Sequence, residues 1–264
     1  MGRPRDDPRI LAVAPGDTSH SKRFMPNLLG LKLAKAWYSA RHFRCWPALL
    51  HGVAPSIEHK RILGNLDMDL LLDVGANRGQ FSLMARILHP HLPIQAYEPL
   101  AAEAAVYRAI HGAQRGIELH EQALGDKDGS VDMHISGRAD SSSLLPIGEL
   151  QAHCFPGTAE VGTKRVRVAT LDSLPVHWRN ARRALLKLDV QGFELNVLRG
   201  ATAALLNCAF VYVECSEVPL YAGQALRPDI ENFLRAQGFV QRGCVNPLYV
   251  EGRLVQADYL FGRM

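Results

Sequence analysis

Paired cysteines are scarce in this 264-residue chain: there are five, Cys45, Cys154, Cys208, Cys215 and Cys244, an odd number with no two in a CxxC spacing. That excludes a zinc knuckle and argues against a disulfide framework, so reduced thiols and a cytoplasmic setting are expected. No stretch reaches the roughly 18 apolar residues that span a bilayer. The amino-terminal stretch MGRPRDDPRILAVAPGDTSHSKRF has no unbroken apolar core and carries Asp6 and Asp7 among its arginines, which speaks against a secretory signal. Neither H-x-E nor H-E-x-x-H occurs. No metal is expected, Asp189, Glu194 and Glu214 being the carboxylates that a Mg2+ ion would have to use. Internal repeats and low-complexity tracts are absent as well.

Charge of one sign is in small excess, +4 overall, but it is unevenly placed. Residues 1–65 carry a net +7 and residues 66–264 a net −3, so the chain divides into a basic extension, 1–65, and a net acidic domain, 66–264. No nucleic-acid partner is expected for that domain. Residues 1–24 have no periodicity and are expected to form an arm without regular structure. From Leu28 to about Leu50, Leu33, Trp37, Tyr38, Phe43 and Trp46 alternate with Lys32, Lys35, Arg41 and Arg44. Helical spacing fits, with Pro47 as the end. Such a helix can pack on the domain, close over an acceptor, or make a weak membrane-surface contact through residues 28–50. Ser56 begins a second short helix.

From residue 69 short apolar runs alternate with helical segments, the pattern of an α/β, doubly wound, mostly parallel sheet. Strands are expected at Leu70–Val74, Ile94–Tyr97, Ile117–Leu124, Ala184–Val190 and Phe210–Cys215. Helices are expected at about Gln80–Leu88, after Glu98-Pro99 as far as Ile110, at Phe193–Leu206 and at Pro228–Gln237. Ser130–Ile135 reads as an antiparallel strand, Val166–Ala169 as a further strand, and residues 136–163 as a long loop. Phe239–Arg242, Leu248–Val250 and Asp258–Phe261 read as antiparallel edge strands.

The stretch LLLDVGANRGQF places a glycine turn between a buried strand and a helix, where doubly wound folds bind cofactors. Gly75 and Gly79 allow a sharp turn and close ligand approach, and Asn77 suits a left-handed position. The dinucleotide fingerprint G-x-G-x-x-G is not matched, because Asn77 and Gln80 stand at the second and third glycine positions. Asp73 would repel a pyrophosphate but attract the ammonium and sulfonium groups of S-adenosylmethionine. Glu98, ending the second strand, suits two ribose hydroxyls, and Asp126, just past the third, an adenine amino group. Each also has a plainer reading as a cap or turn residue.

Seven segments in this order, LLLDVGANRGQFSL, AYEPL, ALGDKDGSV, Ser141-Ser142-Ser143, VATLDSL, LLKLDVQGFELNVLRGA and VYVECSEV, resemble the FkbM family of S-adenosylmethionine-dependent methyltransferases. The resemblance runs from about Leu70 to Phe261. It implies the class I methyltransferase fold, Rossmann-like, with S-adenosylmethionine as cofactor and a small-molecule or glycan acceptor. The family reads K-[IL]-D-[VI]-E-G-x-E where this chain has Gln191 for the first glutamate, a change that keeps hydrogen bonding but removes charge.

A hydroxyl acceptor needs alignment and a base. Asp189 and Glu214, ending the fourth and fifth strands, are the candidate bases, and Lys187 points to the same side as Asp189. Glu194 suits a first helical turn, Asp172 a cap, and Ser142 a contact to cofactor or acceptor; His134 and His153 flank the long loop. By the family resemblance, the expected activity is O-methylation of a sugar hydroxyl on a glycan, lipopolysaccharide precursor or glycosylated metabolite. Two alternatives stand beside it. One is an NAD(P)-dependent oxidoreductase, although Tyr97, Tyr212 and Tyr221 all lack a lysine four residues on. The other is a non-catalytic nucleic-acid or membrane-surface binder built on the basic extension.

Overall fold

Leu70–Val74 (β1) is an apolar run interrupted only by Asp73, and every residue in it is buried. Such a run is stable only when both faces of a sheet are covered. In the computed structural model, which describes residues 28–174 and 177–264, β1 is an interior strand of a seven-stranded sheet, between β2 and β7. The elements in chain order are α1 (Leu28–Arg41), α2 (Trp46–Leu50), α3 (Lys60–Leu63), β1, α4 (Gln80–Leu88), β2 (Ile94–Tyr97), α5 (Ala101–His111), β3 (Ile117–His120), β4 (Ala123–Leu124), β5 (Gly129–Ser136), α6 (Glu149–Cys154), β6 (Glu160–Ala169), β7 (Ala184–Leu188), α7 (Glu194–Arg199), α8 (Thr202–Leu205), β8 (Cys208–Ser216), α9 (Arg227–Ala236), β9 (Phe239–Val250) and β10 (Arg253–Arg263).

The sheet order is β3-β2-β1-β7-β8-β10-β9. The first five strands are parallel, and β10 pairs antiparallel with both β8 and β9. This is the doubly wound, mostly parallel α/β arrangement with antiparallel C-terminal strands that the sequence pattern predicts. Leu72, Leu186 and Val211 pack on one face with α7, α8 and α9; Leu71, Leu185 and Leu260 pack on the other with α3, α4 and α5. β4, β6 and β5 form a separate three-stranded sheet whose β5–β6 pair is antiparallel.

Several expected elements are redrawn. The helix expected over 28–50 breaks at His42, and Pro47 opens α2 rather than ending the helix, because the first turn needs no proline N–H. The strand expected over Ile117–Leu124 is two, β3 in the large sheet and β4 in the small one. The loop expected over 136–163 contains α6 and the first residues of β6. The helix expected over Phe193–Leu206 is α7 and α8, separated where Gly200 passes so close to Gly125 that a Cβ would lie 1.9 Å from its carbonyl oxygen. Phe239–Arg242 and Leu248–Val250 are one strand, β9, and β10 lies inside the sheet between β8 and β9 rather than at its edge. The arm expected over residues 1–24 lies outside the described residues.

The extension packs on the domain. Ala48 and Val53 meet Leu83 and Ile110, while Tyr38, Ile62 and Leu63 join the core around Phe81. Among the described residues no helix is long and apolar enough to cross a membrane.

Candidate active site

The carboxyl ends of β1, β2 and β7 open into a cleft walled by Gly75, Asn77, Glu98, Ser142, Asp189 and Gln191 with apolar surface from Tyr97, Leu100, Met133 and Phe193. Its floor needs glycine. Gly75 has φ +74°, and a Cβ there would lie 1.9 Å from the Asp189 carbonyl oxygen, so the turns after β1 and β7 touch backbone to backbone. Gly79, at φ +88°, faces away from the cleft, where a Cβ would stand 2.5 Å from the His111 ring.

Glu98 is buried, and each of its oxygens accepts a backbone N–H, from Asn77 at 2.9 Å and from Leu100 at 2.8 Å. Burial pushes its carboxyl up to about 7, with those two donors pulling the other way. Two N–H groups fix the carboxylate in one plane while leaving a lone pair on each oxygen for a vicinal diol.

Beneath the floor, Asp73 is fully buried. Its Oδ2 accepts from Ser82 Oγ at 2.6 Å, which in turn accepts from Tyr107 Oη at 2.8 Å, and its Oδ1 lies 3.2 Å from Lys187 Nζ. Lys187 also donates to the carbonyl of Gly75 at 2.9 Å and stands 3.8 Å from Asp189. Asp73 and Lys187 thus hold the glycine turn from below. Neither lines the cleft.

The opposite wall is a hydrogen-bonded group centred on Gln191, which sits at φ 54°. Its Nε2 donates to Asp189 at 2.8 Å and to Glu214 at 2.9 Å, and its Oε1 accepts from Tyr221 Oη at 2.7 Å. Behind it Asp258 stands directly across from Glu214 on β10. Tyr212 Oη bonds Asp258 and lies 2.9 Å from His59 Nδ1, and Asn246 Nδ2 donates to Asp258 at 2.8 Å. Burial first, and then Asp189 and Asp258, raise Glu214 well above the carboxylate range; burial likewise raises Asp258. Glu194 is pushed up to about 7 by burial and accepts the N–H groups of Val190 and Gly192, so it fastens the turn after β7.

Two polar groups in the cleft lining are buried without a partner among the described residues, Tyr97 Oη and Gln122 Nε2. Both can donate hydrogen bonds, and both sit beside Glu98 at the end suited to a nucleoside. A family model described as a methyltransferase FkbM domain matches residues 73–240. The chain belongs to the FkbM methyltransferase family. FkbM membership makes it an enzyme, with S-adenosylmethionine as the methyl donor that membership implies. The Glu98 diol clamp, the glycine floor and the orphaned donors fit that molecule.

Among FkbM and other methyltransferase relatives, the chain is 30% identical over 183 residues to the 2-O-methyltransferase NoeI of Sinorhizobium fredii, covering 63% of this chain and 72% of that protein. It is 29% identical over 154 residues to Methyltransferase 1 of Beauveria bassiana, covering 51% of this chain but only 59% of that protein. Among solved structures it resembles a methyltransferase FkbM from Methylobacillus flagellatus, at 14% identity and a TM-score of 0.49, over 75% of this chain and 45% of that one.

Of the residues singled out from the sequence, Gly75, Asn77, Glu98, Ser142 and Asp189 line the cleft. Ser142 Oγ is already engaged by the Ser136 N–H at 3.1 Å. Glu214 joins them through Gln191. Asp126 lies outside the lining, where the neighbouring chain contributes Gln122, Ala123 and Leu124 instead. Asp172 caps α8, accepting from the Ala203 and Ala204 N–H groups at 2.9 Å. His134 pairs with Glu160, outside the cleft. Sequence reasoning missed Tyr221, His59, Tyr212 and Asp258. Only alternation along the C-terminal strand, which puts Asp258 among apolar neighbours, signalled one of them. Among the described residues no cluster of His, Cys, Asp or Glu is suited to a metal.

Proposed function

We propose that this methyltransferase acts on a hydroxyl, and specifically on a sugar hydroxyl of a glycan, a lipopolysaccharide precursor or a glycosylated metabolite. The observation that carries the reading is the polar wall around Gln191, where Asp189 borders the cleft and is itself 41% exposed in its side chain. An acceptor with several hydroxyls finds hydrogen-bonding groups there rather than an apolar surface. The description of the relative NoeI as a 2-O-methyltransferase agrees with it.

S-adenosylmethionine supplies, when bound, a methyl group on a sulfonium ready for in-line displacement. The chain's own contribution is alignment and a proton acceptor. Glu98 holds the diol end. Asp189, accessible and kept in place by Gln191, takes the acceptor's proton. Burial and the nearby Asp189 and Asp258 favour the protonated form of Glu214, which holds Gln191 by a hydrogen bond as part of the wall. Lys187, buried beneath, balances the charge of Asp73 and Asp189. The five free thiols suit a cytoplasmic setting.

The test is transfer of labelled methyl from S-adenosylmethionine to a panel of free and lipid-linked sugars, with binding of S-adenosylhomocysteine followed by calorimetry. Asp189→Asn is expected to lower turnover by about 10²- to 10⁴-fold with product binding little changed. Labelling of amine or carbon acceptors alone, or full turnover by Asp189→Asn, would overturn the reading.

A further inference from the structure

The amino-terminal helices bury one side and leave the other bare. Tyr38, Cys45 and Ala48 are buried, while Leu33, Trp37, Phe43, Trp46, Leu49 and Leu50 are between 43% and 88% exposed. Single exposed apolar residues are ordinary on a protein surface, but six within 18 positions, two of them tryptophan, form a patch. Their spacing keeps them together: Leu33 and Trp37 are one helical turn apart, as are Phe43 with Trp46 and Trp46 with Leu50.

The charge beside them is mainly basic. Residues 28–50 contain no Asp or Glu but include Lys32, Lys35, Arg41 and Arg44, and Lys35 is paired with Glu58 at 2.8 Å. Arg41 lies over the Trp37 ring at 4.2 Å and Arg44 over Phe43 at 5.9 Å, so cations border the aromatic rings themselves.

We propose that α1 and α2 form a docking surface for an anionic membrane. Tryptophan, phenylalanine and leucine side chains enter the boundary between headgroups and acyl chains, while the cations meet anionic headgroups. A second copy of the chain fits less well, because joining two such faces would bring Lys32, Arg41 and Arg44 of both copies together, Glu58 already being paired with Lys35. A nucleic acid would engage the cations and stack on the rings, but it would leave Leu33, Leu49 and Leu50 in water. The surface is independent of the methyl-transfer reading.

The experiment uses the full chain with vesicles of phosphatidylcholine alone and of phosphatidylcholine mixed with phosphatidylserine, read by cosedimentation and by tryptophan emission. Of the three tryptophans, Trp37, Trp46 and Trp178, two lie in the patch. A blue shift and cosedimentation with the anionic vesicles, weakened by salt, are expected. The variant Trp37→Ser/Phe43→Ser/Trp46→Ser should lose at least about tenfold in partitioning, with its melting temperature and its affinity for S-adenosylhomocysteine unchanged. Lys32→Glu/Arg41→Glu should lose the preference for phosphatidylserine. The proposal is overturned if anionic vesicles do not bind, if the triple variant binds them equally well, if a wild-type dimer disappears in that variant, or if oligonucleotides bind through the patch and vesicles do not.

Discussion

Replacing Glu98 by glutamine exchanges a group that titrates for one of the same shape that does not. In the folded chain the Glu98 carboxyl keeps its proton up to about 7, against an ordinary value of 4.5. Because the folded value is raised, its contribution to stability is fully present below about 4.5 and is lost as pH rises through about 7. Over that window the loss runs at about 1.4 kcal/mol per pH unit, or about 3 kcal/mol in all. Glu194 adds a parallel loss, and His111, lowered to about 4 by burial, an opposing gain. The difference between wild type and Glu98→Gln isolates Glu98. The variant also carries a fixed cost of about 1–3 kcal/mol, because its amide nitrogen faces one of the backbone N–H groups of Asn77 or Leu100.

Urea denaturation in half-unit steps from pH 5 to pH 8 should therefore show the largest deficit for Glu98→Gln at pH 5, shrinking by about 2.5 kcal/mol towards pH 8. Binding provides the second arm. A diol donates to the ionised carboxylate, so wild-type affinity for S-adenosylhomocysteine should weaken as pH falls below about 7, while that of the variant stays flat. Stability curves that run parallel across this range would refute the assignment of a proton to Glu98.

Three further outcomes follow from the geometry. Gly75→Ala combines a left-handed backbone with a Cβ 1.9 Å from the Asp189 oxygen and should cost more than about 3 kcal/mol in a urea melt. Lys187→Met leaves Asp73 buried without a counter-ion and should cost about 3–5 kcal/mol; adding Asp73→Asn should recover most of it. Tyr221→Phe removes the donor to Gln191 Oε1 and should raise the acceptor KM with little change in affinity for S-adenosylhomocysteine, measured by labelled transfer and calorimetry.

The parallel core was legible because strands buried on both faces announce themselves as unbroken apolar runs, and the glycine turn because its strain leaves few residue choices. The place of Glu98 was legible too, at the tip of such a run. What eluded the sequence depended on contacts between distant segments. Ile117–Leu124 reads as one strand until the small sheet claims Ala123 and Leu124 for pairing with β6. Asp73 next to a glycine turn reads as a ligand contact until Ser82 and Lys187 are seen to enclose it. Gln191 stood out against the family pattern, but its bridging of Asp189 and Glu214 required β8 to lie beside β7.

His59 precedes the stretch matched by the family model, and Asn246 and Asp258 follow it. These three meet around Tyr212, behind the wall centred on Gln191. The shared stretch thus furnishes both Glu98 and the wall of Asp189, Gln191, Glu214 and Tyr221, whereas chain regions on either side of it meet only behind that wall. Changes in those flanking regions reach the cleft only indirectly, through the backing that Tyr212 and Asp258 give to Glu214, and leave Glu98 and the glycine turn untouched.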